Sequence, residues 1–254
     1  MKLPRQIQRI LVLLTILLGG LQVQAQPSTA PTDSSPADST TTFVAPPPPP
    51  NIDSPGRPVG GGTRRNCGES IDQVEPTEQP LTALVPTSPR NDLTYVFGAT
   101  GAERPTFWFY VPYSASFTAV FSLQDQAGNA VYETEVALPE TASAIGITLP
   151  ATVPPLESNK LYHWYFEVYC QAPPPEASVD GWVQRRLIDQ GLNQQIEQAS
   201  LPQRVSLYAA NGLWHDALTT AAELHRADPT NPAWRNLLQA IGLGDLPAEP
   251  IAAP

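Results

Sequence analysis

The chain is short of the residues that most enzyme chemistry needs. Its 254 residues include two cysteines, three histidines and one methionine. No G-x-S-x-G nucleophile elbow, H-E-x-x-H zinc helix or Ca2+-loop pattern occurs, so no cofactor, metal or catalytic set is implied. His215 and His225 stand ten positions apart and not four, which rules out a helical zinc pair. Positive charge is scarce as well: 14 Lys and Arg against 24 Asp and Glu give a formal net charge of −10. Such a surface argues against nucleic acid and anionic membrane as partners. Long apolar runs are missing after the first residues, so no later stretch reads as a membrane-spanning helix.

The exception at the start is informative. Lys2, Arg5 and Arg9 precede a short apolar run, Ile10 to Leu18, and Val23-Gln24-Ala25 fits the small-residue cleavage rule. Residues 1–25 are expected to be a secretory signal; an uncleaved N-terminal anchor is the alternative. Export places the mature chain in the periplasm, elsewhere in the cell envelope, or outside the cell. Two cysteines in an exported chain pair most simply with each other, Cys67 with Cys170. Closing a loop of about 100 residues would contribute up to about 4–5 kcal/mol on the chain-entropy model. A reactive or metal-binding thiol pair is the competing reading, but neither cysteine has a C-x-x-C or C-x-x-H context.

Proline is abundant, 30 in all, about twice the usual share. Residues 26–65 are rich in Pro, Ser, Thr and Gly and include the five-proline run Pro46 to Pro50. They are expected to form a disordered linker, polyproline II in part. The glycine-rich, basic run Gly56 to Arg65 lacks the preceding strand, following helix and Lys of a phosphate loop.

From Leu81 the pattern becomes one of strands. Lys160 to Cys170 alternates over its whole length, with Tyr162, Trp164, Phe166, Val168 and Cys170 against Leu161, His163, Tyr165, Glu167 and Tyr169. Shorter segments at 81–85, 93–97, 106–113, 117–124, 130–138, 145–149 and 182–187 behave alike. Asp125 to Asn129 supplies a hairpin turn. The fold expected for residues 66–187 is an antiparallel, immunoglobulin-like β-sandwich.

After Ile188 the period becomes helical. Ser200-Leu201-Pro202-Gln203 is a capping box with Pro in the first turn, and Asn231-Pro232 opens a further helix. Residues 188–245 are expected to form a small helical subdomain, making the chain α+β, and 246–254 a flexible tail. Tyr208, Gly212, Trp214, Ala217, Leu218 and Pro229 resemble a tetratricopeptide repeat over Leu201 to Trp234, although Arg204 and Val205 stand where Leu-Gly is usual. One repeat cannot form a free solenoid, so these helices are expected to pack beside the sandwich.

A wider resemblance runs through Gly60 to Arg64, LTALVP at 81–86, PTFWFYVPY at 105–113, FSLQD with Gly128-Asn129, LYHWYFEVYC at 161–170, Gly181-Trp182 with Arg185, and Tyr208-Ala209, Gly212-Trp214 and Asp216 to Leu218. Over residues 56–245 the chain resembles secreted bacterial proteins, chiefly cyanobacterial, grouped as domain of unknown function 928. That resemblance implies export and brings no activity, cofactor or catalytic residue.

Two constellations remain. If Phe107, Phe109 and Val111 face the core, Trp108 and Tyr110 point the other way. Exposed, they would stack on sugar rings or a partner; covered, they would pack under the helices, which need a surface. His163 and Glu167 share a strand face and read either as a general acid and base or as surface residues of a sheet. The expected function is a non-enzymatic interaction protein of the envelope or secreted fraction, with an envelope or secreted protein as partner. The alternative is a carbohydrate-binding module acting through Trp108 and Tyr110 on a glycan.

Overall fold

The alternation from Leu161 onward forms β8 (Leu161–Tyr169), an interior strand of a six-stranded sheet. The computed structural model describes residues 42–60, 79–170, 173–247 and 250–251. Across that sheet the order is β2 (Thr87–Arg90), β3 (Leu93–Thr100), β9 (Ala177–Arg185), β8, β5 (Thr118–Asp125) and β6 (Ala130–Val136). A second sheet holds β1 (Thr82–Ala83), β4 (Thr106–Val111), β7 (Ser143–Thr148) and β10 (Pro250–Ile251). Two pairings, β3 with β9 and β7 with β10, are parallel. The sheets are therefore mixed and not wholly antiparallel as expected, because alternation reveals a strand but not the direction of its distant neighbours.

The two sheets bury one face of each against the other. Phe107, Phe109 and Val111 of β4 meet Ala119, Phe121 and Leu123 of β5 and Trp164, Phe166 and Val168 of β8, all fully buried. Phe109 stacks on Phe166 at 4.5 Å between ring centres. Thr87-Ser88-Pro89-Arg90 forms β2 without apolar alternation. It is an edge strand, where a proline without an N–H is tolerated. The β2–β3 hairpin turns through Asn91 and Asp92, both at positive φ (51° and 63°), the pattern of a two-residue I′ turn.

Four helices follow: α1 (Gln190–Gln198), α2 (Leu201–Ala210), α3 (Trp214–Ala227) and α4 (Ala233–Ala240). The capping box at Ser200 and Gln203 opens α2 as expected. α1 was not legible as a separate helix, since Ile196 is its one buried residue. α3 is rooted in the sheets by three consecutive side chains. The Trp214 indole N–H donates to the Leu84 carbonyl (2.8 Å), His215 Nδ1–H to the Thr106 carbonyl (3.1 Å), and the Asp216 carboxylate accepts from the Gly101 and Ala102 amides (2.9 and 3.1 Å). The helices thus cover the free face of the smaller sheet, giving three layers: large sheet, small sheet, helices.

Residues 42–60 correct the expected disordered linker; 26–41 and 61–65 lie outside the described residues, as does the signal. The segment is a strap. Phe43 meets Trp214 edge-on at 4.7 Å and the Val44 amide donates to the Ala209 carbonyl (3.1 Å). The proline run makes no bonds within itself, so its carbonyls are free to accept: Arg90 donates to those of Pro48 and Pro49. The strap then crosses the large sheet, where the Trp182 indole donates to the Ser54 carbonyl (3.0 Å). Arg57 exchanges two backbone bonds with Asp180 of β9 (2.8 and 3.0 Å), and Pro58 and Gly60 bond to Ala83 and Leu81 beside β1. One short stretch thereby ties β9 of the large sheet to β1 at the edge of the small one. The expected flexible tail is corrected in part too, since Pro250–Ile251 pairs with β7.

Gly56 is the tightest point of the strap. It sits at φ +79°, and a Cβ there would lie 2.8 Å from the Asp180 carbonyl. Gly56→Ala combines a left-handed penalty of about 1–2 kcal/mol with that clash. It is expected to release the strap, so that limited proteolysis cuts within 42–60 at least about tenfold faster than in the wild type. Unchanged cleavage would mean that the strap is not held there.

Candidate functional site

The outer face of the large sheet is built by the residues of β8 that alternate away from the core. Its upper half is closed by the strap: Ile52 packs with Tyr95, Phe97, Leu161 and Trp182 in a small cluster of their own. His163 lies at the border, stacked on Trp182 at 4.2 Å. It is held from both sides. His163 Nε2 is 2.9 Å from the Asp180 carboxylate and Nδ1 is 2.8 Å from the Tyr165 hydroxyl. In the neutral ring, Nε2–H donates to Asp180 and Nδ1 accepts from Tyr165. Both nitrogens are thus engaged within the protein, and the residue is 9% exposed.

Glu167 does not join His163. Its carboxylate accepts from the Tyr169 hydroxyl at 2.9 Å. Burial, that hydrogen bond and the nearby charges of Glu167 and Glu133 push the Tyr169 phenol up to about 12. Tyr165 is raised as well, by burial first and then by Asp180 and Glu167. Both phenols therefore remain protonated and neither is an activated nucleophile. The general acid–base reading of His163 with Glu167 is corrected: β9 supplies the true histidine partner, a register that sequence alone does not give.

Strand register arranges the open half of the face in two rows. Glu133, Ser122, Tyr165 and Asp180 lie side by side across β6, β5, β8 and β9; Glu135, Val120, Glu167 and Ser178 form the next row. These side chains are half-buried or exposed. Among the described residues no lysine or arginine pairs with any of the four carboxylates.

The other sequence candidates fall elsewhere. Trp108 and Tyr110 are corrected as an exposed pair: they are 2% and 3% exposed, beneath the helices. The Trp108 indole donates to Thr219 (3.1 Å) and meets Trp234 edge-on at 5.1 Å. Cys170 directly follows β8, while Cys67 lies outside the described residues, so their pairing is a matter for proposal. Asp125 caps the β5–β6 turn, accepting from the Asn129 side-chain amide (2.8 Å) and from the Asn129 and Ala127 backbone amides (2.8 and 2.9 Å), which hold its carboxyl below the usual range. His215 is buried inside the protein and His225 borders a separate cleft of about 350 Å³ shared with Trp234, Arg235, Leu238 and Leu246. Among the described residues no three His, Cys, Asp or Glu side chains gather as a metal site would require, and no helix is long and apolar enough to cross a membrane.

The face was missed as a site because its members come from four strands. The outward set of β8 was readable from alternation; the acids of β6 and β9 join it only through pairing. Compared with known sequences, the chain matches the model of a family described as Domain of Unknown Function (DUF928) over residues 59–251. No curated protein matches it.

Proposed function

We propose that this chain, which belongs to the Domain of Unknown Function (DUF928) family, is a non-enzymatic interaction module of the cell envelope or of the secreted fraction. The observation that carries the proposal is the open half of the large sheet. The small sheet's outer face lies under the helices and the upper large sheet lies under the strap; the rows through Tyr165 and Glu167 meet the strap only at their β9 end, where Arg57 bonds to Ser178 and Asp180, and their other members are half-buried or exposed. A polar face with aromatic members and no activated nucleophile is suited to holding a partner and not to transforming a substrate.

Several finer points belong to the same proposal. Residues 1–25 act as a secretory signal. Cys67 and Cys170 form a disulfide that ties the N-terminal arm to the end of β8. The two sheets represent an immunoglobulin-like sandwich, and α2–α3 with Pro229 a single tetratricopeptide-like hairpin serving as its cap. A glycan-binding role through Trp108 and Tyr110 is set aside, since neither ring is accessible.

The test is a pull-down of the mature chain from an extract of its own envelope, with non-reducing mass spectrometry of the same sample. Expected are a specific partner, lost on Glu133→Gln/Glu135→Gln/Glu167→Gln, and a Cys67–Cys170 linkage. Capture of the same proteins by the triple variant would remove the face from the function, and free thiols would remove the disulfide.

A further inference from the structure

Resting on that interaction-module proposal, we infer that the open half of the large sheet docks a basic, extended polypeptide segment supplied by a partner protein. Three observations converge on this occupant. The first is charge. Glu133, Glu135, Glu167 and Asp180 stand in two adjacent rows with no lysine or arginine paired to them among the described residues. An anionic ligand would be repelled there and a cationic one drawn in.

The second is the aromatic content. Tyr165 and Tyr169 lie four residues apart on one strand face, about 13 Å at about 3.3 Å per residue. Each hydroxyl is tied to the side chain two residues earlier, on His163 and Glu167. The His163 ring packs on one side of the Tyr165 ring, 4.2 Å between centres, so the outer side of Tyr165 and the Tyr169 ring, and not the hydroxyls, form the surface on which a lysine or arginine head stacks. The span along β8 suits about four residues of extended chain.

The third is what already occupies the other half of the same sheet. The chain's own extended strap lies there, and the cations beside it do what is assigned to the partner's. The Arg90 guanidinium sits 4.0 Å over the Tyr95 ring, and Arg57 donates to Ser178 (3.0 Å), the β9 member of the second open row. Arginine on a tyrosine ring, and arginine donating to a β9 hydroxyl, are thus arrangements this sheet already holds. A partner segment entering below Arg57 would extend the same pattern over Tyr165 and Tyr169.

The probe is a fluorescein-labelled peptide of alternating Gly with Lys and Arg, titrated by anisotropy against the full mature chain, with a Gly-Glu peptide as the matched anion. The basic peptide is expected to bind and the acidic one not to, with affinity falling as salt rises. Glu133→Gln/Glu135→Gln/Glu167→Gln should weaken binding about tenfold or more. The same number of exposed acids neutralised elsewhere, Glu140→Gln/Glu197→Gln/Glu223→Gln, should weaken it about threefold or less. Tyr169→Phe should keep most of the affinity and Tyr169→Leu lose it, a difference that charge alone would not produce. Equal losses from the two triple variants would mean diffuse attraction to an acidic protein and would overturn the inference. So would absence of peptide binding while a neutral oligosaccharide binds in a Tyr169-dependent way. If the peptide fails but the envelope pull-down still yields a partner lost with the face, the interaction module stands and only its basic occupant falls.

Discussion

Trp214→Ala is expected to destabilise the protein by about 5 kcal/mol, a large share of the stability of an ordinary domain. Trp214 is fully buried, and its loss acts in three places at once. Removing a buried indole leaves a cavity between α3 and the small sheet, worth about 3–5 kcal/mol by itself. It also takes the donor from the Leu84 carbonyl, which is otherwise sealed from water, adding about 1–3 kcal/mol for an unsatisfied buried group. It finally deprives Phe43 of its edge-on partner, loosening the start of the strap. Urea unfolding followed by tryptophan fluorescence and circular dichroism would measure the effect. Trp214→Phe separates the contributions, since it keeps most of the ring but not the N–H, and should lose about 1–3 kcal/mol. A loss below about 1 kcal/mol for the alanine variant would show that α3 is not rooted through this residue.

Mild acid should weaken the fold through His215. His215 is enclosed between α3 and the sheets, and burial lowers its protonation to about 4, against an ordinary value of 6.5, despite the hydrogen bond to Thr106. Its Nε2 is buried with no hydrogen-bond partner among the described residues and lies against Gly98, where an added Cβ would come within 2.6 Å of it. The unfolded chain takes up a proton near 6.5 and the folded chain does not until about 4. Between those values the unfolded state binds more protons, and stability falls as pH falls. The loss begins near 6.5, amounts to roughly 3 kcal/mol and levels off below about 4. The adjacent Asp216 acts in the opposite direction at the acid end. Burial raises its carboxyl against four hydrogen bonds that lower it, so the folded state takes up that proton first. Its contribution is present at low pH and lost as pH rises through the raised value. Urea midpoints at pH 7, 6, 5 and 4 would trace the profile. His215→Gln should be less stable at pH 7 yet show a flatter slope between 6.5 and 5. An identical slope in the variant would assign the acid response to other groups.

How far the fold could be read follows from which information is local. Phe107, Phe109, Val111, Trp164 and Phe166 were assigned to the core by alternation alone, and they are there. The β5–β6 hairpin followed from Asp125 to Asn129, and α2 from its capping box. What failed was non-local. β2 carries no hydrophobic pattern to read. The polyproline run looks like a spacer because its own residues cannot pair; its partners, Arg90, Ala209 and Trp182, lie far along the chain. Trp108 and Tyr110 sit on the face opposite Phe107 and Phe109, as alternation required, but whether that face meets water depends on where the helices dock. The Tyr165–His163–Asp180 chain needs the β8–β9 register, and no single strand contains it.

The strap has a consequence in time. Its residues leave the ribosome ahead of every strand, yet the groups that hold it are among the last made: Ser54 waits for Trp182, 128 positions later, and Val44 for Ala209. Contacts so distant in sequence carry a large closure entropy and form late. A nascent chain must therefore keep this proline-rich stretch idle until β9 and α2 exist, and only a completed protein can lock it. Chains stalled before residue 177 should leave 42–60 open to protease, whereas full-length chains should not. The strap serves as a seal set after the rest of the molecule has been finished.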